Sequence, residues 1–228
     1  MSELIKKSLE NIAKASQEKL IPELVDFYKP YFSSEEETKS FVLACETHKE
    51  PSFKRALHQL QRHMNLANEM ENIQKGKDTF QVFFWIVAIE AIFKASTEYS
   101  KKQKVEIVRD FFKLYISQEN QSTLISSIRK NEDPVEHTTI EMVADMFNTV
   151  RNMFAHEGIY WMFTFPAKRG ECTINYLPKE RTSFFSTYTM GPENMDAYSL
   201  SITKKEVQDI IIKGAIFFIQ DTLQKYSK

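Results

Sequence analysis

Between Phe80 and Phe93 almost every residue is apolar: Phe80, Val82, Phe83, Phe84, Trp85, Ile86, Val87, Ala88, Ile89, Ala91, Ile92 and Phe93. At helical pitch such a run is hydrophobic on nearly every side. A helix of that kind has no solvent face and must be wrapped by other elements. The run therefore predicts a central, buried helix with amphipathic helices around it. Glu90 is the exception inside it. A buried carboxylate is costly unless a cation or donors meet it. Its other reading is an exposed position on an imperfectly covered helix.

The flanking segments supply the wrapping. Leu4, Ile5, Leu9, Ile12, Leu20, Leu24, Val25 and Phe27 recur at helical spacing, with Pro22 and Pro30 as breaks. Ser33-Ser34 before three glutamates reads as an N-cap, opening a helix that runs to about His48. A polar helix follows from Pro51-Ser52 to about Gln74, ending near Gly76. Residues 102–117 and 121–131 read as two further helices, and Pro134 punctuates the chain. From Thr139 to Ala155 an apolar stripe of Ile140, Val143, Met146, Phe147, Val150 and Phe154 predicts another. The pattern then changes. Ile159–Phe165, Cys172–Leu177, Ser183–Thr189 and Ala197–Ile202 are short, aromatic and β-branched, and turn residues separate them. They predict a small antiparallel sheet. Thr203 and Glu206 then form a capping box for a last helix. The expected fold is mainly α, with a helical extension over residues 1–76 and a helical domain over 77–228. A β insertion sits at about 159–202 of that domain. Only five glycines in 228 residues agree with helices over a β-sandwich.

Composition narrows the function classes. The net charge of −1 gives no global basic field, so any nucleic-acid contact must come from a local patch. Cys45 and Cys172 form no CxxC pair, which suggests neither a zinc site nor a disulfide framework and fits a reducing cytoplasm. Lys6, Lys7 and Glu10 interrupt any signal-peptide core, and no run of about 18 apolar residues predicts a membrane span. Phosphate-binding, dinucleotide-binding, nucleophile-elbow and metalloprotease motifs are all missing. Cys45 and His48 are three apart, but nothing else supports a thiol site.

Chemistry concentrates in Arg151-Asn152-Met153-Phe154-Ala155-His156, closed by Glu157-Gly158. On a helix, Asn152 and His156 share a face, whereas Arg151 and His156 are about 140° apart. Arginine is long enough to wrap round, and Gly158 lets the helix stop beside the histidine. RNA carries its own nucleophile, the 2′-hydroxyl. A neutral imidazole can take that proton, and a guanidinium can hold the phosphate oxygens. On spacing alone the arginine–histidine pair is close to a chance match, and a helix-end histidine also suits the carbonyl dipole.

The run Thr149–His156 resembles the R-x(4–6)-H signature of the HEPN domains, including the polar residue after the arginine. The apolar helix 83–93 with its embedded Glu90 is similar to the helix that pairs with it in that family. The resemblance covers about residues 78–157 and the last helix. It implies an antiparallel helical bundle that dimerises, so that two motif helices form one RNA-cleaving groove. It also implies a metal-independent endoribonuclease without a cofactor, of the kind used in toxin–antitoxin, phage-defence and RNA-processing systems. Some members have lost catalysis and bind nucleotides or partner proteins. The carry-over assigns Arg151, Asn152 and His156 to catalysis, with Glu90 as the group that aims Arg151.

Other residues fill out the expectation. Lys168, Arg169, Lys179 and Arg181 lie in the predicted hairpins and would grip an RNA backbone, or else are solvated turn residues. Arg55, His58, Arg62 and His63 read as a solvated basic face. Trp85 and Trp161 read as core rather than as base-stacking platforms. The expected partners are RNA, a second copy of the chain, and an antitoxin or other protein.

Overall fold

The computed structural model describes residues 20–94, 101–130, 138–179 and 192–226. Residues 20–28 are helical (α1) and run into a 3₁₀ turn, Lys29–Tyr31. Then come α2 (Glu35–Thr47), α3 (Pro51–Ile73), α4 (Thr79–Lys94), α5 (Lys104–Leu114) and α6 (Gln118–Ser127). Strand β1 (Ile128–Lys130) precedes α7 (Ile140–Glu157), followed by β2 (Thr173–Pro178), β3 (Met195–Leu200) and α8 (Lys204–Tyr226). The protein is mainly helical with one small antiparallel sheet.

The apolar run is α4, and it is the hub. Val82, Trp85, Ile86, Ala88, Ile89, Ile92 and Phe93 are buried, and α3, α5, α7 and α8 all pack on it. Phe93 stacks on Phe218 of α8 at 4.3 Å, with Tyr115 edge-on at 5.4 Å. Each such side chain stabilises the fold by about 1.5–3 kcal/mol through area removed from water. The boundary expected near residue 76 falls in the α3–α4 turn, where Gly76 has φ +71°. One continuous core spans that turn.

The expected caps are present. Ser34 Oγ accepts from the Glu37 amide at 3.1 Å, Thr139 Oγ1 from Met142 at 3.2 Å, and Glu206 Oε2 from the Thr203 amide at 3.0 Å. Each satisfies an orphan donor of a first helical turn. Pro22 does not break the chain, because helical geometry continues across it to residue 28. Proline's fixed φ is compatible with a helix.

Two expectations change. Ile159–Phe165 forms no strand. The Asn175 side chain brackets Thr164, accepting from its amide at 2.8 Å and donating to its carbonyl at 3.1 Å. The Phe165 amide donates to Asp78 at 2.7 Å. Side chains thus take backbone bonds that a ladder would otherwise make. The tail of the helix expected over 121–131 is instead β1, an outer strand of the order β1-β3-β2 with Ile128 opposite Leu200. The sheet therefore draws on chain before α7 as well as after it. Ser183–Thr189 lies outside the described residues, as do Leu4–Ile12 and Pro134.

Candidate functional site

Helix α7 buries Ile140, Val143, Met146, Phe147 and Val150, packs on both the hub and α5, and ends where the sequence signals it should. Gly158 adopts φ +66°, a conformation that disfavours side chains. Its amide bonds the Phe154 carbonyl at 3.1 Å, and the next amide, of Ile159, bonds Met153 at 3.2 Å. The bond from the Gly158 amide to the carbonyl four residues back, with Gly158 left-handed, is the αL closure of a helix. Buried Ile159 turns the chain back onto the core. His156 is left exposed on the last turn of α7, and Asn152 is half-buried one turn earlier on the same face.

Arg151 lies on the other side of that turn and is buried. Its Nη2 sits 2.9 Å from Glu90 Oε1 and donates to Oε2 at 3.2 Å. The shorter contact is an ion pair rather than an aligned hydrogen bond, so the distance to Oε1 does not satisfy that oxygen. The side chains of Arg151 and Glu90 are only 7% and 8% exposed. The contact expected between α4's embedded acid and this arginine is therefore made directly. Arg151 Nη1 donates to Asn152 Oδ1 at 2.9 Å. Because that oxygen is engaged, the amide presents its NH₂ side as the free donor. The guanidinium fork expected to meet phosphate is thus turned inward onto Glu90 and Asn152. Among the described residues, Arg151 Nε and Glu90 Oε1 have no hydrogen-bond partner.

Aromatic rings back this turn. Phe154 meets Phe83 at 4.7 Å and Phe80 at 5.0 Å, and Tyr160 stacks on Phe80 at 5.3 Å. Phe80, Phe83, Phe84 and Phe154 are only half-buried. Trp85 is core, as expected, but Trp161 is not: it is 54% exposed. It lies past the Gly158 reversal, edge-on to Tyr160 at 5.2 Å, where the chain runs over the outside of the core.

The predicted hairpin cations are dispersed. Arg169 is 3.6 Å from Glu206 at the start of α8, and the Lys168 amide bonds Glu171. Lys179, at the far end of β2, donates to the Glu193 carbonyl at 2.6 Å. The strand between them is six residues long, about 20 Å at strand rise. Arg181 lies outside the described residues. On α3, Arg55 and Arg62 are solvated, but His58 is half-buried and braces α2 through Glu46 at 2.5 Å. Cys45 is buried, and burial, with a smaller contribution from Glu46, pushes its thiol up to about 12. His48 lies beyond the end of α2, where its Nδ1 accepts from the Glu50 amide. The two make no thiol–imidazole pair.

Sequence reasoning passed over two groups. Lys104, at the start of α5, places its Nζ 4.0 Å from Glu90 Oε2 and is 54% exposed. The only sequence sign of it is the basic run Lys101-Lys102-Gln103-Lys104. Buried Asp78 gathers the Phe165 amide, the Thr164 hydroxyl at 3.3 Å and Lys204 at 3.2 Å. Lys204 also meets Glu71 at 2.5 Å. This clasp fixes the path the chain takes after α7.

Among the described residues, no three His, Cys, Asp or Glu side chains are grouped to hold a metal ion, and no described helix is long and apolar enough to cross a membrane. Comparison of the chain with family models, with curated proteins and with solved structures finds no match.

Proposed function

We propose that this protein is a metal-independent endoribonuclease with a HEPN-like site, acting as a homodimer in which each chain contributes half of one groove. The observation that carries the reading is the exposed His156 on the face of Asn152, whose amide is held by the buried Arg151–Glu90 pair. His156 takes the proton of the RNA 2′-hydroxyl as general base. The oxygen so activated attacks the adjacent phosphorus and expels the 5′-oxygen of the next nucleotide, which takes a proton from water. The products are a 2′,3′-cyclic phosphate and a 5′-hydroxyl. The Asn152 NH₂ donates to a phosphate oxygen as charge builds there. Arg151 acts through Asn152 and is a positioning residue. The nucleophile comes from the RNA and the base from the protein, so the chemistry needs no cofactor. The half-buried Phe80, Phe83, Phe84 and Phe154 support a second chain covering this side of the molecule. Two unpaired cysteines suit a cytoplasmic setting. Such an activity fits phage defence, a toxin held by an antitoxin protein, or RNA processing.

A second reading, a non-catalytic nucleotide- or protein-binding module, is favoured by the inward turn of Arg151. RNA cleavage in EDTA separates the two. The wild type should yield cyclic-phosphate ends by mass spectrometry, and His156→Ala should lose about 10²–10⁴-fold in rate while keeping its thermal midpoint. Cleavage that survives the substitution rules the mechanism out and leaves the module.

A further inference from the structure

With Arg151 closed onto Glu90 and Asn152, the site as described has no cation that faces solvent from α7. The neighbouring helix supplies one. Arg109 pairs with Asp145 at 2.6 Å and Lys113 with Glu141 at 3.0 Å. Four residues forward on α5 thus correspond to four residues back on α7, and the two helices run antiparallel. Going back five residues from Arg109 reaches Lys104, which comes level with residue 150 of α7. The 4.0 Å approach of Lys104 to Glu90, the partner of Arg151, agrees with that register. Lys104 and Arg151 both face a single carboxylate. Arg151 is buried against it at 2.9 Å, while Lys104 reaches it only at the edge of ion-pair range and from the solvent side. An exposed pair at such a distance is held weakly. The charge of Lys104 is carried at the surface by a long and movable side chain. Lys101 is exposed in the turn leading into α5, whereas Lys102 is tied to Asp110.

We infer that Lys104, with Lys101 beside it, is the cation that grips the phosphate backbone of RNA at this site. The inference rests on the ribonuclease reading and adds its missing electrostatic contact. It also gives a chain with net charge −1 a local patch for a polyanion. A lysine holds phosphate as a point charge and reads no base, so binding through it is tolerant of sequence.

The test is fluorescence anisotropy of a labelled, mixed-sequence single-stranded RNA across a salt series. The protein carries His156→Ala throughout, so that the probe stays intact. Adding Lys104→Gln should weaken binding about five- to tenfold at low salt and make the log–log salt slope shallower by about 0.7, one lost phosphate contact on a single strand. Lys104→Arg should restore both. Lys39→Gln is the control: Lys39 is equally exposed and also faces one carboxylate, more closely at 2.7 Å, but on α2, and its loss should change neither. A merely structural role for Lys104 would move the thermal midpoint and leave the salt slope alone. An unchanged slope in Lys104→Gln, or an equal change in Lys39→Gln, overturns the inference. Should the wild type cleave RNA while Lys104→Gln binds normally, only this inference falls. Should the His156→Ala protein bind no RNA at any salt and the wild type cleave none, both fall.

Discussion

Two buried carboxylates, one just before the hub helix and one within it, are handled in opposite ways. Asp78, just before α4, receives the Phe165 amide, the Thr164 hydroxyl and Lys204, so both its oxygens are satisfied. Glu90, near the other end, shares its partner unevenly. One oxygen takes a hydrogen bond from Arg151, the other has only an ion-pair contact, and Arg151 Nε has no partner among the described residues. A satisfied cluster needs no explanation beyond stability. An under-satisfied one is stable only because the surrounding fold holds it, and such groups collect where a structure does chemistry. The Asp78 clasp sets where the chain goes after α7. The Glu90–Arg151 pair sets what α7 presents.

The largest effect should come from breaking the satisfied cluster. Asp78→Ala leaves the buried Phe165 amide without its acceptor and strips Lys204 of one of its two carboxylates, and should destabilise by about 3–5 kcal/mol in urea unfolding. At a temperature where the variant stays folded, RNA cleavage should fall far less than stability does. Full loss of cleavage by folded protein would make the clasp part of the site and erase the contrast.

Glu90→Gln should cost less, about 2–3 kcal/mol, because an amide oxygen still accepts from Arg151. Its effect on cleavage should be larger than on stability, since a guanidinium held by one neutral acceptor, without the ion pair, fixes Asn152 less firmly. Gly214→Ala provides the yardstick. A Cβ there would meet the Phe111 ring at 2.9 Å and the Tyr115 carbonyl at 3.2 Å, costing about 1–3 kcal/mol by overpacking against neither carboxylate. If Gly214→Ala loses as much cleavage per unit of stability as Glu90→Gln does, the pair is structural.

How these features read in the sequence follows the same division. The hub helix was legible because a helix apolar on all sides has only one place to go. The α7 terminus was legible because Gly158 and the stripe ending at Phe154 are local signals. The Glu90 contact was one of two readings open in the sequence: an acid buried at 90 needs a cation, and the resemblance put the helix of Arg151 beside it. Ile159–Phe165 misled because its side chains suit any extended buried segment, while what denied it a ladder was Asn175 and Asp78, eleven or more residues away. β1 is three residues long and gains its identity only from pairing with β3. Lys104 escaped notice for a related reason. Its place beside Arg151 depends on the register of α5 against α7, which Asp145 and Glu141 set from another part of the chain.

The smallest effect, a pH response of the clasp alone, tests whether it behaves as a closed ion network. Burial lowers the affinity of Lys204 for its proton, but bonding to Glu71 and the charge of Asp78 outweigh that, so its pKa is raised. The hydrogen bond from Lys204 lowers the pKa of Glu71 against a smaller opposing effect of burial. The two signs bracket a window. A raised lysine contributes stability that is complete below its unfolded value and is lost as pH rises through its folded one. A depressed carboxylate contributes stability that is present above its unfolded value and is lost as pH falls through its folded one. Lys204→Met should therefore flatten the stability profile at both the acid and the alkaline ends. Both groups are partly exposed, so the difference from wild type should stay under about 1 kcal/mol. Glu90→Gln should leave the Lys204-dependent part of the profile untouched, because the two carboxylates share no partner. A Lys204→Met difference that vanishes in the Glu90→Gln background would show that the two clusters are one network, and that the contrast between them is only apparent.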